Sequence, residues 1–124
     1  MAIRVLIVDD QAPFREAART VVELTDGFEV VGEAETGEAS VQAASDLRPD
    51  LVLMDVNLPG IDGLEATRQI LANGGGSVVV LLLSTYEYDE YAPRAAESGA
   101  AAYIPKSEFE PDRLEEAWAA ASSG

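Results

Sequence analysis

Three aspartates stand directly after short apolar runs. Asp9 and Asp10 follow Ile3–Val8, and Asp55 follows Leu51–Met54. Ser84 and Thr85 follow the run Val78–Leu83, and Lys106 follows Ala101–Ile104 and Pro105. Carboxylates gathered in one small pocket repel one another and lose hydration energy, so a purely structural core has no use for them. A divalent cation offsets the repulsion, and a lysine supplies a positive partner. All-oxygen ligands suit Mg²⁺, a hard cation. Such an ion neutralises a phosphoryl group in transfer and orients its oxygens. An aspartate can then serve as the nucleophile, forming an acyl phosphate. In that chemistry Ser84 would donate a hydrogen bond to the phosphoryl group and Lys106 would pair with it.

Each residue alone reads more simply. An aspartate after a strand commonly caps the next helix. Asp62 and Asp89 are read as such caps, and Asp50 as a turn residue before its strand. Ser84 alone reads as a turn residue, and Lys106 alone as a solvated charge. The chemical reading requires Asp9, Asp10, Asp55, Ser84 and Lys106 to reach one edge of one sheet.

The elements that would position them alternate. Ile3–Val8 is a β-branched run without alternation, the pattern of a strand buried on both faces. Phe14, Ala17, Ala18, Val21 and Val22 recur at helical spacing, with Pro13 in the first turn. Asp26-Gly27 ends that helix, and Phe28–Gly32 reads as a second strand. Gly37–Leu47 reads as a helix with Ala39, Ala43, Ala44 and Leu47 inward. Leu51–Met54 is a third strand, and Asp62-Gly63 opens a helix bearing Leu64, Ile70 and Leu71. Asn73-Gly74-Gly75-Gly76 is a turn; it precedes a strand and lacks the Lys and Ser/Thr of a P-loop. Val78–Leu83 is the fourth strand, Asp89–Ser98 a small-residue helix closed by Gly99, and Ala101–Ile104 the fifth strand. Asp112–Ala121 is a last helix with Leu114, Ala117, Trp118 and Ala121 on one face. Five βα units predict an α/β fold, a parallel sheet with helices on both faces. Ligands of such sheets bind beyond the carboxyl ends of the strands, where these polar residues fall.

Composition narrows the chemistry further. The 124 residues suit one domain, residues 1–124, without staples. With neither His nor Cys, the chain excludes disulfides, the usual zinc sites, histidine acid–base catalysis and histidine phosphotransfer within itself. Asp and Glu number 23 against 8 Lys and Arg, a net charge of −15, so no nucleic-acid contact is expected from this segment. Val78–Leu83, the longest apolar run, is too short to cross a bilayer, and Met1-Ala2-Ile3-Arg4 lacks the features of a signal peptide. A cytoplasmic location without membrane contact is expected.

Four segments carry a family resemblance: Val5–Asp10, Leu53–Gly63, Leu83-Ser84-Thr85 and Tyr103-Ile104-Pro105-Lys106. Together, in this order and spacing, they resemble the receiver domain of two-component response regulators. The resemblance implies a doubly wound five-stranded parallel sheet, (βα)5, of the flavodoxin-like class. It implies that Asp55 accepts a phosphoryl group from the phosphohistidine of a sensor histidine kinase in a Mg²⁺-dependent reaction. Asp10 and Asp55 match side-chain Mg²⁺ ligands, Asn57 matches a backbone-carbonyl ligand, and Asp9 matches one acting through water. Ser84 matches the hydroxyl that moves to the phosphoryl group, Tyr103 the aromatic switch residue, and Lys106 the phosphate-pairing lysine. On its own Tyr103 reads as an edge-strand aromatic. Asn57 and Tyr86, flanking the pocket, would influence hydrolysis of the acyl phosphate. The output surface, formed by the fourth and fifth helices, would be read by an effector domain, a downstream protein or a second protomer in a homodimer.

Many receivers carry a proline after the lysine; here Ser107 follows Lys106 and Pro105 precedes it. That Pro-Lys-Ser form, with Ser84-Thr85-Tyr86, looks most like receivers that carry a LuxR-type helix-turn-helix. An effector domain controlling transcription, lying after Gly124, is therefore expected, the alternative being a stand-alone receiver acting through protein–protein interaction. The chain is expected not to be a turnover enzyme. A Mg²⁺-dependent aspartyl phosphohydrolase would need a carboxylate two residues after its nucleophile, and Gln11 and Asn57 are amides.

Overall fold

Ile3–Val8 forms β1, and Ala12–Leu24 forms α1 with Pro13 in its first turn, where a missing N–H costs nothing. They are followed by β2 (Phe28–Ala34), α2 (Gly37–Leu47), β3 (Leu51–Asp55), α3 (Gly63–Asn73), β4 (Val79–Ser84) and β5 (Ala102–Pro105). A short 3₁₀ turn, Lys106–Glu108, leads into α4 (Pro111–Ser122). These elements belong to a computed structural model that describes residues 2–74, 78–85, 93 and 97–122. The helix expected over Asp89–Ser98, with Asp89 as its cap, lies largely outside the described residues. Glu97 and Ser98 are helical, and Gly99 ends the turn at φ 95°, a left-handed conformation that glycine adopts without strain.

All strands pair in parallel, in the order β2-β1-β3-β4-β5. This is the doubly wound flavodoxin-like order, and the chain reverses direction across the sheet between β1 and β3. One apolar layer joins Leu6, Val8, Val52, Met54, Val80 and Leu82 to α2 and α3. The other joins Val5, Ile7, Leu51, Leu53, Leu81 and Leu83 to Ala18 and Val22 of α1 and Leu114 and Ala117 of α4. The central strands are thus covered on both faces, which is why they read as continuous apolar runs.

Three expectations are corrected. Ala17 and Ala39, assigned to inward helix faces, are exposed; α1 buries Ala18 and Val22, and α2 buries Gly37 and Ser40. Alanine carries little apolar area, so its placement weakly constrains a helix face. β2 continues past Gly32 to Ala34, because Glu33 and Ala34 remain paired with Ile7 and Val8 after a shift of register between Val5 and Leu6. Its solvent side accommodates Glu33, which takes ion pairs from Arg15 and Arg19 of α1.

Candidate functional site

Asp55 is the last residue of a wholly buried strand, paired with Leu83 of β4. The chain continues with Val56 N–H donating to the Leu83 carbonyl at 3.0 Å, then returns so that Gly63 N–H donates to the Val56 carbonyl at 2.9 Å. A Cβ on Gly63 would stand 2.1 Å from the Asp55 carbonyl oxygen, so only glycine lets α3 begin this close to β3. Asp62 caps α3 as expected, its carboxylate accepting from Glu65 N–H at 2.9 Å. Glu38 of α2 accepts from Ile61 N–H at 3.2 Å and holds the intervening loop from the other side.

Asp9, 1% exposed, is held at every polar atom group. Its N–H donates to the Ala34 carbonyl at 3.1 Å, and its carbonyl accepts from Arg15 Nη1 at 2.7 Å. One carboxylate oxygen accepts from Gln11 N–H at 2.8 Å, and the other from Lys106 Nζ at 2.6 Å. Lys106 Nζ also lies 3.7 Å from Asp55 Oδ1. Asp55 Oδ1 accepts from Asn57 N–H at 3.3 Å. Asp10 is exposed at the mouth, and carboxylate oxygens of Asp9, Asp10 and Asp55 all lie within 4.8 Å of one another.

The electrostatics of this cluster are strained. Burial pushes the Asp55 carboxyl up from its ordinary 3.8 to about 6, and the Asp9 carboxylate pushes the same way. The Lys106 ammonium and the Asn57 N–H oppose the shift, and Asp10 adds to it. Three carboxylates facing a single ammonium form an anionic, all-oxygen donor set. That set fits a hard divalent cation.

The expected convergence at one sheet edge is therefore present for Asp9, Asp10, Asp55 and Lys106. Ser84 is fully buried at the end of β4, opposite Pro105 in register and one residue past Leu83, the partner of Asp55. Thr85 is exposed. Tyr103 lies on β5, an edge strand of the sheet, and is 3% exposed, its side chain belonging to the apolar layer with Val80, Leu82 and Leu58. Tyr86 lies outside the described residues. Asp50 does serve as a turn residue, its carboxylate accepting from Arg4 N–H at 2.9 Å. A cleft of about 370 Å³ opens elsewhere, between the last turns of α2 and α3, with Arg48, Asp50, Ile70 and Asn73 on its walls. Among the described residues its ionisable lining is Arg48 and Asp50 alone, whereas the acidic edge gathers Asp9, Asp10, Asp55 and Lys106.

Two residues of this site escape sequence reasoning. In the sequence Arg15 looks like any helix-surface arginine, and Phe14 has only the spacing of an apolar helix position. The ring of Phe14 stands under the Lys106 ammonium, 4.3 Å from Nζ to its centroid.

A parallel sheet of this order, with acidic groups at the carboxyl ends of β1 and β3 and a lysine after β5, defines a flavodoxin-like domain with an acidic edge suited to a divalent cation. The chain matches the response regulator receiver domain over residues 5–119 and belongs to that family. It is 43% identical over 104 residues to the response regulator GacA of Pseudomonas viridiflava, covering 84% of this chain and 48% of that protein. It is 36% identical over 115 residues to the transcriptional regulatory protein DegU of Brevibacillus brevis, covering 93% of this chain and 48% of that one. The crystal structure of a LuxR-family two-component response regulator from Aurantimonas sp. SI85-9A1 superposes with a TM-score of 0.88 at 31% identity, covering 99% of this chain and 87% of that one. The chain spans about half the length of the curated relatives it matches. It is a signalling domain of two-component systems. No helix among the described residues is long and apolar enough to cross a membrane.

Proposed function

We propose that Asp55 is the phosphoacceptor of residues 1–124 acting as one receiver domain. An Asp55 carboxylate oxygen attacks the phosphorus of a sensor kinase's phosphohistidine. The new O–P bond forms as the P–N bond breaks, and the imidazole leaves with the bonding pair. The observation that carries this reading is the buried Asp55 carboxyl held beside Asp9 and Lys106 at the carboxyl edge of the sheet. The acyl phosphate so formed carries more negative charge than the carboxylate it replaces, and Lys106 beside Asp55 is placed to meet it.

Asp9, Asp10 and Asp55, with the Asn57 carbonyl, would hold Mg²⁺. When bound, the ion neutralises charge on the phosphoryl oxygens. The protein's own residues supply the rest. Lys106 exchanges its Asp9 contact for a phosphoryl oxygen. Ser84 donates a hydrogen bond to another, and Tyr103 responds within its apolar layer. Phosphorylation in this way is a local charge event that biases a two-state surface. The chain is a phosphoacceptor rather than a turnover enzyme, and it works in the cytoplasm. The names of the DegU and LuxR-family relatives support a transcriptional output through an effector domain. A homodimer is one form in which the switched surface would be read.

Incubation with acetyl phosphate and Mg²⁺, followed by intact-mass measurement, tests the reading. One phosphoryl group adds to the native chain and none to Asp55→Asn. Equal labelling of both proteins, or none of the native one, defeats it.

A further inference from the structure

Lys106 is the only lysine in the chain; every other basic residue is an arginine. Its ammonium is enclosed from three directions. Asp9 Oδ2 lies at 2.6 Å, Asp55 Oδ1 at 3.7 Å, and the face of the Phe14 ring at 4.3 Å from Nζ to the centroid. An ammonium over an aromatic face is attracted by the ring's quadrupole, and more strongly when shielded from water. The Lys106 side chain is only 10% exposed, so the contact is largely desolvated.

Phe14 is itself braced. Its ring meets that of Phe109 at 6.5 Å between centroids, tilted by 43°. Phe109, 7% exposed, closes the turn that Lys106 begins, donating its N–H to the Lys106 carbonyl at 3.2 Å. The backbone of Lys106 and the ring under its ammonium are thus fixed to one another. Lysine otherwise carries a flexible stem and a strongly hydrated head, which two carboxylates alone leave free to swing outward. Leucine would fill the same space but present no negative face. The next residue, Arg15, donates to the Asp9 carbonyl at 2.7 Å, so the first turn of α1 touches both members of the Asp9–Lys106 pair.

We propose that Phe14 is a positioning residue for phosphoryl transfer, its ring face holding the Lys106 ammonium between Asp9 and Asp55, ready to take a phosphoryl oxygen. The role rests on the phosphoacceptor reading of Asp55; the ring–ammonium contact does not. Among the described residues it adds an aromatic wall to the cluster of Asp9, Asp10, Asp55 and Lys106.

The single lysine makes the test direct. With ε-¹³C-lysine incorporated, the folded protein gives one lysine side-chain resonance. In the native protein its Hε protons lie upfield, shielded by the ring. In Phe14→Leu they return toward free-lysine values, and in Phe14→Tyr the shielding is rescued. Labelling of Asp55 by acetyl phosphate slows about fivefold in Phe14→Leu, the equivalent of about 1 kcal/mol, and recovers in Phe14→Tyr. Unshielded Hε protons in the native protein overturn the proposal without any variant. Equal labelling rates in all three proteins overturn the positioning role. Shielded protons with no labelling of the native protein would show instead that the phosphoacceptor reading had failed. Should Phe14→Leu not fold, Phe14→Met supplies an apolar side chain of similar volume.

Discussion

Replacing Asp55 by asparagine should stabilise the metal-free domain at neutral pH, although it removes the residue at the centre of the site. Asp55 is 4% exposed, and its carboxyl is raised from 3.8 to about 6, first by burial and then by Asp9. At about 1.4 kcal/mol per pH unit, that difference corresponds to about 3 kcal/mol. Solvent reaching the mouth of the site screens part of it, leaving on the order of 1–3 kcal/mol. The sign follows from linkage. A group whose folded value lies above its unfolded one contributes its stabilisation fully below pH 3.8. The contribution then falls as pH rises and is gone above about 6. Asparagine is neutral throughout and close in shape to the protonated acid. Asp55→Asn should therefore match the native protein near pH 4 and exceed it by about 1–3 kcal/mol at pH 7.5, the gap opening between those limits. Urea unfolding in EDTA measures this, followed by the single Trp118, whose ring packs edge-on against Phe28 at 6.2 Å. Taking the difference between the two proteins cancels the other carboxylates. Adding Mg²⁺ should raise the native protein's stability and close the gap, because a ligand of the folded state alone stabilises by mass action. A variant no more stable than the native chain at pH 7.5, or a gap independent of pH, would refute the electrostatic account.

Three further outcomes follow from the same geometry. Lys106→Met should cost about 3 kcal/mol in urea unfolding, because it strands the buried Asp9 carboxylate, and Asp9→Asn in the same chain should recover most of the loss. Gly63→Ala should lose about 2–3 kcal/mol, on the order of 10 °C in Tm by calorimetry, since its Cβ would meet the Asp55 carbonyl at 2.1 Å. Leu53→Ala, at a fully buried position of β3, should lose about 2–5 kcal/mol while leaving the residues of the acidic edge unchanged.

The strands themselves and the placing of Asp9, Asp55 and Lys106 at strand ends were legible because each residue stands next to an unambiguous apolar run, whereas the order of the strands in the sheet came with the family resemblance. A run such as Leu51–Met54 has no polar face to orient, so it must be a central strand, and its last residue must then emerge at the sheet edge. Asp10 was within reach because it adjoins such an end, and Asn57 only through the family resemblance. What stayed hidden depends on contacts between segments far apart in the chain. Phe14 has the spacing of a core residue, and nothing local marks that Lys106, which begins its turn 92 residues later, ends over its ring. Arg15 looks like any helix-surface arginine until β2 brings Glu33 and the end of β1 brings the Asp9 carbonyl. Ala17 and Ala39 failed for the opposite reason: a methyl side chain gains little from burial, so helical spacing could not decide which face it takes. The burial of Tyr103 likewise required knowing that β5 lies beside β4 with its ring directed into the α2–α3 layer.

The central claim is that a single carboxylate, Asp55, carries the phosphoryl group. Reduction of the acetyl-phosphate-treated protein with borohydride converts an aspartyl phosphate to homoserine, and peptide mass mapping then locates it. The account predicts homoserine at position 55 alone, formed only when Mg²⁺ and acetyl phosphate are both present. Homoserine at Asp9 or Asp10, or none at position 55 after complete reduction, would contradict it.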